Sequence, residues 1–227
     1  MILGLIPARG GSKAIHRKNL IDLHGIPLIQ HTLIAASICE LDDVICTTDD
    51  SEIAKLANDW VDVIRIPTHL AQDDSLMLPV VEHAVRAYGK KVDAVMLLQP
   101  TSPLRNSDDI NSALEMWNDP WEKKPECLVS VYMGEHPKKA YVLDEAGKWK
   151  PAYPQVPYRK QADKCLVRNG AIFVTSRRLL EQGRLFDEVP MLYLMPKERS
   201  IDVDSMEDLF MARAIMKYRS EQLSKRS

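Results

Sequence analysis

The chain has 227 residues, of which 45% are hydrophobic and 27% charged, and its formal net charge is −2. This composition is typical of a globular protein with a sizeable core, and it excludes disordered and low-complexity classes. The 30 basic and 32 acidic residues nearly balance, which argues against a nucleic-acid binder that relies on bulk positive charge. We therefore expect one domain over residues 1–227 and no nucleic-acid partner.

Cysteine spacing and hydropathy indicate a cytoplasmic protein. The four cysteines form no CxxC pair and no zinc-type pattern with the histidines, so they are expected to be reduced thiols: Cys39, Cys46, Cys127 and Cys165. No apolar stretch approaches the ~18 residues of a membrane span. The start of the chain lacks the basic segment of a signal peptide. We expect no membrane association.

Strands and helices alternate along most of the chain. Short apolar runs predict strands over residues 2–6, 44–48, 61–66, 94–98, 128–132, 171–175 and 191–194. Amphipathic or capped stretches predict helices over residues 27–38, 52–60 (capped by Ser51), 77–88, 107–117 and 206–221. This order predicts an α/β fold with a doubly wound, mostly parallel sheet.

The stretch from Gly134 to Arg168 departs from this alternation. It contains four prolines, and two β-like pieces, 140–143 and 149–150, flank a turn over residues 144–147. We interpret the stretch as an extended insertion rather than a second globular domain.

Ligands of doubly wound sheets bind beyond the carboxyl ends of the strands, where the loops after Ile6, Thr48 and Leu98 should meet. The first of these loops contains Ala8-Arg9-Gly10-Gly11-Ser12-Lys13. Its glycines allow a ligand to approach the backbone closely. The positive charges of Arg9 and Lys13 and the hydroxyl of Ser12 suit a polyphosphate. The spacing matches neither the P-loop nor the dinucleotide fingerprint. The alternative is a tight loop with two solvated charges.

Asp202-Val203-Asp204 is a candidate metal site. In an extended segment, residues two apart face the same way, so both carboxylates could meet one Mg²⁺ while Val203 faces the core. A polyphosphate site nearby strengthens this hypothesis. The alternative is that Asp204 or Ser205 caps the following helix, with Asp204 and Glu207 as a capping box.

Three further groups are weaker candidates. The loop Gln99–Arg105 could present the Gln99 amide to a ligand, or it could be a rigid strand–helix connection. Asn169-Gly170 suits a turn with positive φ. A basic set in the insertion could bind an acidic substrate, although a solvated face is the default: His136, Lys138, Lys139, Arg159 and Arg168.

Taken together, these segments resemble the acylneuraminate cytidylyltransferase family. The matching stretches span nearly the whole chain in family order: IPARGGSKAIHRKN (6–19), TTDD (47–50), LAQDDS (70–75), LQPTSPLR (98–105), NGAI (169–172) and SIDVDSMEDL (200–209). The chain departs from the family pattern at Ala14-Ile15-His16, at Ile66 before Pro67, and at Arg159–Lys164. Each stretch alone is weakly specific, whereas the ordered set is specific.

The resemblance implies a nucleotide-diphospho-sugar transferase-like fold, a homodimer joined through residues 134–168, and Mg²⁺-dependent transfer of CMP from CTP to a nine-carbon 2-keto sugar acid. It implies nucleotide-binding roles for Ala8, Arg9, Gly10, Gly11, Ser12, Lys13 and Asn19. It implies metal binding by Asp202 and Asp204, and catalytic roles for Arg9, Lys13, Asp202 and Asp204. It implies sugar-acid contacts from Gln99, Lys139, Arg159 and Asn169.

Three rival functions remain at this stage. A Kdo-type cytidylyltransferase shares the reaction, but the NGAI and SIDVDS segments favour the acylneuraminate branch. A glycosyltransferase could use a similar acidic pair without releasing pyrophosphate. A regulator would bind CTP or a sugar nucleotide without turnover, and the acidic pair argues against it.

Overall fold

The structure is a computed structural model that describes residues 1–72, 75–120, 125–135, 140–153 and 165–224. Its strands are β1 (Ile2–Pro7), β2 (Asp22–Leu23), β3 (Ile26–Pro27), β4 (Asp43–Thr48), β5 (Asp62–Arg65), β6 (Ala94–Leu97), β7 (Cys127–Gly134), β8 (Tyr141–Leu143), β9 (Trp149–Pro151), β10 (Cys165–Ser176) and β11 (Met191–Leu194). Its helices are α1 (Leu28–Ser37), α2 (Ser51–Ala57), α3 (Met77–Tyr88), α4 (Ser107–Asn118), α5 (Arg177–Glu181) and α6 (Met206–Ser224).

The central sheet has seven strands in the order β11-β7-β10-β6-β1-β4-β5. Six of them run in one direction, and β10 alone is antiparallel to both of its neighbours. The prediction of a doubly wound, mostly parallel sheet is confirmed. Strand order reverses at β1, since β4 and β5 lie on one side of it and β6 on the other. That reversal is the point at which such sheets bind ligands.

Both faces of the sheet are buried, because successive side chains of each strand point to opposite faces. On one face Ile6, Cys46 and Met96 pack against α1, α2 and α4. On the other, Leu5 and Val95 pack against α3 and α5. Burial on two faces explains why these strands are continuous apolar runs rather than alternating ones.

Helix α6 lies over a third, smaller core that includes Leu23, Leu28 and Val203. This core fastens α6 to the loop after β1 and to the segment that contains the acidic pair. None of the described helices is both long and apolar enough to cross a membrane.

One predicted helix cap was wrong, and one of two alternatives at another helix was confirmed. Asp50, not Ser51, caps α2, since its Oδ1 accepts the N–H groups of Glu52 and Ile53 at 2.8 and 3.0 Å. At α6 the predicted alternative Ser205 is the cap, and its reciprocal partner is Asp208, so the Asp204–Glu207 box does not form. In both cases the chain offers adjacent capping residues, and the packing of the preceding loop selects one of them.

The insertion is shorter than predicted at both ends. Strand β7 reaches Gly134, and β10 begins at Cys165 instead of the predicted 171. Between them, β8 and β9 form the predicted antiparallel hairpin. Residues 136–139 and 154–164 lie outside the described residues.

Candidate active site at the carboxyl edge of the sheet

A cleft of about 350 Å³ opens beyond the carboxyl ends of β1, β4 and β6. The predicted loops after β1 and β6 contribute to its wall, together with Thr47 near the end of β4 and the acidic segment before α6. Its polar and charged lining residues are Arg9, Ser12, Lys18, Asn19, Thr47, Gln72, Ser75, Gln99, Thr101, Asp202 and Asp204. Ala8 and Gly11 also line it, and Ile66, Leu70, Met77 and Val80 supply apolar surface. The cleft lining therefore combines charged, polar and apolar side chains.

The loop after β1 is fixed by its neighbours. Ala8 N–H donates to the Thr47 carbonyl at 2.9 Å, and Gly10 N–H donates to Asp49 Oδ1 at 2.8 Å. A Cβ on Gly10 would lie 2.7 Å from Asp50 Oδ2, so no larger residue fits there without a shift. The Gly10 N–H is thus committed to Asp49, while Gly11 and Ser12 lie on the cleft wall.

A second set of contacts turns the loop back toward the cleft. Arg17 has a left-handed backbone (φ 50°), and its guanidinium bonds Asp50 and Glu52, both at 2.9 Å. Burial alone raises the pKa of the Asp50 carboxyl, but N–H donors of Ile53 and Glu52 and the Arg17 charge outweigh it and leave the pKa below its ordinary value. Asp50 is therefore ionised at neutral pH and anchors both α2 and the loop.

The left-handed turn at Arg17 brings the next two residues into the cleft. Asn19 Nδ2 donates to the Arg9 carbonyl at 2.9 Å, which fixes the loop from within. Lys18 Nζ lies 2.9 Å from Asp204 Oδ1 and lines the cleft. Lys18 is not among the site residues predicted from the sequence, although it directly precedes the predicted Asn19.

Asp202 and Asp204 both line the cleft, and Val203 between them is fully buried. The Val203 N–H donates to the Thr101 carbonyl at 2.7 Å, which pins this extended segment to the loop after β6. The geometry expected of residues two apart in an extended segment is therefore present.

The environments of the two carboxylates differ. Burial raises the pKa of Asp202, against a hydrogen bond from Thr101, and Asp202 Oδ1 is buried with no hydrogen-bond partner in the described structure. Asp204 is 72% exposed at its side chain. A buried, unpartnered carboxylate oxygen beside a second carboxylate suits a hard divalent cation, which would take its other ligands from phosphates and water. No group of three or more potential metal-ligating side chains occurs among the described residues.

The segment that precedes the acidic pair is anchored to α4. Arg199 forms a two-pronged ion pair with the buried Asp109, with both N–O distances 2.8 Å, and the Tyr193 hydroxyl bonds the same carboxylate at 3.1 Å. Burial and the Asp109 charge raise the pKa of Tyr193 to about 12. These contacts hold residues 197–199 in place immediately before the acidic segment.

The loop Gln99–Arg105 is both a rigid connection and part of the cleft wall. Arg105 is buried, and its guanidinium donates to the carbonyls of Gln99 and Ala171 and to Thr32 Oγ1 at 3.3, 3.0 and 2.8 Å. Burial lowers its pKa to about 10, so it remains charged at neutral pH. Gln99 itself lines the cleft.

Asn169 and Gly170 lie within β10, at a register shift between Arg168 and Phe173, so the predicted turn is a bulge inside a strand. Gly170 has the expected positive φ of 74°. A Cβ there would lie 2.9 Å from Asp202 Oδ2 and 3.1 Å from Gln99 Oε1. Asn169 is only 3% exposed and is not among the cleft-lining residues.

The remaining candidates do not meet in the cleft. Lys13 is exposed and is not part of the described cleft wall. Arg168 lies over the Phe186 ring, 5.5 Å from its centroid. The predicted sugar-acid contacts Lys139 and Arg159 lie outside the described residues.

A doubly wound sheet whose switch-point cleft joins a basic glycine loop to a pair of aspartates is typical of a nucleotide-binding α/β domain. Residues 3–222 match the family model described as cytidylyltransferase, and the chain belongs to that family. The resemblance noted in the sequence is therefore confirmed at the level of the family.

Curated relatives share about 30% of their residues with this chain. An N-acylneuraminate cytidylyltransferase of Escherichia coli is 31% identical over 97% of the chain, which spans only 53% of that relative. A CMP-N,N'-diacetyllegionaminic acid synthase of Legionella pneumophila is 30% identical over 98% of this chain and 99% of its own. A pseudaminic acid cytidylyltransferase of Campylobacter jejuni is 29% identical over 96% and 97%.

Solved structures confirm the fold. A CMP:2-keto-3-deoxy-manno-octonic acid synthetase complexed with CTP superposes with a TM-score of 0.73 at 18% identity, over 96% of this chain and 99% of that one. A 4-diphosphocytidyl-2C-methyl-D-erythritol synthase from Anaerococcus prevotii gives a TM-score of 0.66 at 11% identity, over 95% and 96%.

Proposed function

We propose that the protein transfers CMP from CTP to the anomeric hydroxyl of a nine-carbon 2-keto sugar acid and releases pyrophosphate. The observation that carries the proposal is that Asp202 and Asp204 face one cleft together with the glycine loop after β1. The names of the relatives from E. coli, L. pneumophila and C. jejuni support an acceptor of the sialic, legionaminic or pseudaminic type.

The reaction is a direct displacement at phosphorus. The anomeric hydroxyl attacks the α-phosphorus of CTP and a new P–O bond forms, while the hydroxyl proton passes to water. The bond from the α-phosphorus to the oxygen that bridges the β-phosphate breaks, and its electron pair leaves on pyrophosphate. Such a transfer needs positioning and charge neutralisation more than covalent chemistry from the protein. Arg9 and Lys18 on the cleft wall, with Lys13 from the same loop, supply positive charge for the triphosphate and the departing pyrophosphate.

Mg²⁺ is the cofactor of this proposal, with Asp202 and Asp204 as its protein ligands. Bound there, the cation would neutralise charge on the phosphate oxygens. The fit rests on the unpartnered Asp202 Oδ1 and on the adjacent carboxylate of Asp204. Lys18 Nζ lies 2.9 Å from Asp204 Oδ1, so Lys18 would compete with a cation for that carboxylate, and its ammonium group would also be within the cleft to contact phosphate.

The sugar acid is proposed to lie beside Gln99, with its carboxylate held by Lys139 and Arg159. Gln99 lines the cleft together with Thr101 and Asp202, beside the carboxylate where we place the cation and the phosphates. Cationic side chains are the natural partners of a carboxylate.

We also propose a homodimer. Four apolar side chains are exposed on the strands at the β11-β7-β10 end of the sheet: Met133 and its β10 partner Leu166, and Leu192 and Leu194 of β11. The hairpin adds Tyr141, Leu143 and Trp149, each more than half exposed. Exposed apolar surface is typical of protein–protein interfaces. Sedimentation equilibrium should give a mass near twice 25.8 kDa, and a Leu192→Lys, Leu194→Lys variant should shift it toward the monomer.

The same proposal places the protein in the cytoplasm, which suits its four free cysteines. A Kdo-type cytidylyltransferase is the second candidate, because the CTP complex of such an enzyme shares the fold. That likeness, at 18% identity, reaches only the fold, whereas the relatives named for nine-carbon acids are near 30% identical.

The test is pyrophosphate release from CTP and Mg²⁺ with a panel of N-acetylneuraminic, legionaminic, pseudaminic and 3-deoxy-manno-octulosonic acids. We expect release with one of the nine-carbon acids and none when CTP or Mg²⁺ is omitted. Release only with the eight-carbon acid would move the assignment to the Kdo type. CTP binding without release from any acid would favour a regulator.

A further inference from the structure

Asn169 lies at the centre of a buried network of side-chain hydrogen bonds beneath the cleft. Its Oδ1 accepts the Ser130 hydroxyl at 2.6 Å and the Ala171 N–H at 3.2 Å. Its Nδ2 donates to Ser200 Oγ at 2.9 Å, and the Ser200 hydroxyl donates to the Pro196 carbonyl at 2.9 Å. Both ends of the amide are therefore bonded within the protein.

This hydrogen-bond network joins two segments that meet at the proposed metal site. Ser130 lies on β7 and Asn169 in the β10 bulge, so their bond fixes the bulge against the neighbouring strand. Ser200 lies on the segment that continues to Asp202. A buried amide that bonds both segments fixes the position of one relative to the other.

The bulge then acts directly on the cleft residues. Gly170, the next residue, lies so close to Asp202 and Gln99 that a Cβ would come within 2.9 Å of the Asp202 carboxylate and 3.1 Å of the Gln99 amide. The backbone at Gly170 therefore packs against the side chains of Asp202 and Gln99. A shift of the bulge would displace both side chains.

We propose that Asn169 is a positioning residue for Asp202: it sets the bulge and, through Ser200, the acidic segment, and it does not contact the sugar acid. The proposal replaces the sugar-acid contact expected for Asn169 from the sequence. It rests on the proposed cation site at Asp202 and Asp204, and Asn169 acts only through the geometry of that site.

Ser200→Ala and Ser130→Ala test the proposal without changing Asn169. Neither serine lines the described cleft, and each is at most 9% exposed, so neither could contact a bound ligand directly. Each substitution removes one hydrogen bond of the Asn169 amide and leaves the cleft residues unchanged. Ser200→Ala is the primary test, because Ser130→Ala also removes the acceptor of the Ile172 N–H, which lies 2.8 Å from Ser130 Oγ. Ser200→Thr keeps the hydroxyl and serves as the rescue variant.

The matched control is Thr175→Val. Thr175 lies on the same strand as Asn169 and is also buried, and its hydroxyl donates to the Leu185 carbonyl at 2.8 Å, away from the cleft. It loses one buried hydroxyl, as the test variants do, and so it reports the structural cost of such a loss.

Mn²⁺ binding in the presence of CTP, measured by electron paramagnetic resonance, is the readout, because it needs no acceptor and no turnover. We expect Ser200→Ala and Ser130→Ala to weaken Mn²⁺ binding about three- to tenfold, as the loss of one buried hydrogen bond allows. Ser200→Thr should restore it, and Thr175→Val should bind as the wild type does while losing similar thermal stability. The KM for the sugar acid should not rise in any variant that binds Mn²⁺ as the wild type does.

Unchanged Mn²⁺ binding in both alanine variants would overturn the proposal and leave the network a structural one. A raised KM for the sugar acid with normal Mn²⁺ binding would overturn it in favour of ligand contact. Failure of the proposed function would show separately, in the wild type: no Mn²⁺ binding with CTP removes the cation site and this inference with it. Normal Mn²⁺ binding without pyrophosphate release would remove the reaction alone.

Discussion

Two cavities of nearly equal volume lie at opposite edges of the central sheet. The carboxyl-edge cleft has about 350 Å³, and a cavity at the amino edge has about 360 Å³. Both contain carboxylates. At the amino edge Asp42 accepts the Ile2 N–H at 2.6 Å, and Glu126 bonds the Ser176 hydroxyl and pairs with Arg178. These acids serve the fold.

At the carboxyl edge the acids are less committed. Asp202 Oδ1 is buried without a hydrogen-bond partner, and Asp204 is paired with Lys18, which itself lines the cleft. A buried polar atom left unpaired costs free energy that a ligand can recover. The comparison teaches that volume and acidity do not distinguish a site from a crevice, whereas the pairing of the carboxylates does: those at the amino edge are bonded to the fold, and Asp202 keeps an unpaired oxygen.

The largest effect should come from Asp204→Asn. We expect turnover to fall on the order of 10³-fold, because the cation loses one of its two carboxylate ligands. The fold should survive, since the Asp204 side chain is 72% exposed. Asp42→Asn is the control at the other edge: it retains an acceptor for Ile2 and should keep the wild-type rate. Pyrophosphate release measures both, and a fully active Asp204→Asn would refute the metal assignment.

Gly170→Ala should have the next largest effect, and Gly147→Ala is its matched control. Both glycines have φ of 74°, so alanine at either position costs about 1–2 kcal/mol of backbone strain. Around Gly147 a Cβ meets nothing within 4 Å, whereas at Gly170 it meets Asp202 and Gln99.

We therefore expect both glycine variants to lose unfolding free energy, measured with urea, and Gly170→Ala to lose more because its Cβ also meets Asp202 and Gln99. Only Gly170→Ala should lose activity, by about 100-fold, because only there is a carboxylate of the proposed metal site pushed aside. Equal activity of the two variants would show that the contact between Gly170 and Asp202 does not matter for turnover.

Lys18→Met tests the positively charged side of the carboxyl-edge cleft. The Lys18 ammonium group both neutralises Asp204 and lines the cleft where phosphates would lie. We expect the KM for CTP to rise about tenfold, since a charge-assisted hydrogen bond is worth about 1.5–3 kcal/mol. Lys217→Met removes the same charge from an exposed position on α6 that does not line the cleft, and it should leave the KM unchanged. The KM for CTP of both variants is measured at a fixed concentration of sugar acid and varied CTP, and equal values would contradict the role of Lys18.

The sequence predicts the sheet well because each central strand is a continuous apolar run buried on both faces. It also predicts that the loops after β1, β4 and β6 share an edge, because parallel strands align their carboxyl ends. The acidic pair follows from period-two geometry in an extended segment. Each of these features depends on local sequence and one general rule.

What the sequence could not predict depends on contacts between distant residues. The ion pair of Lys18 with Asp204 joins residues 186 positions apart. Asn169-Gly170 is typical of a turn, and only the pairing of β10 with β7 makes it a bulge inside a strand. The choice of Asp50 over Ser51 as helix cap depends on the loop around Arg17, because Arg17 and the α2 N–H groups share one carboxylate.

The smallest effect belongs to the amino edge, where Asp43 opens β4. A hydrogen bond from the Tyr88 hydroxyl, with Lys90 nearby, lowers the pKa of the Asp43 carboxyl below its ordinary value. Its stabilising contribution is therefore present above about pH 4, the ordinary value for Asp, and is lost as pH falls through the lower pKa of the folded state. Asp43→Asn should lower the thermal midpoint slightly at pH 6 and make it fall less between pH 4 and pH 2. Turnover at neutral pH should not change, and a change would mean that the two edges are coupled.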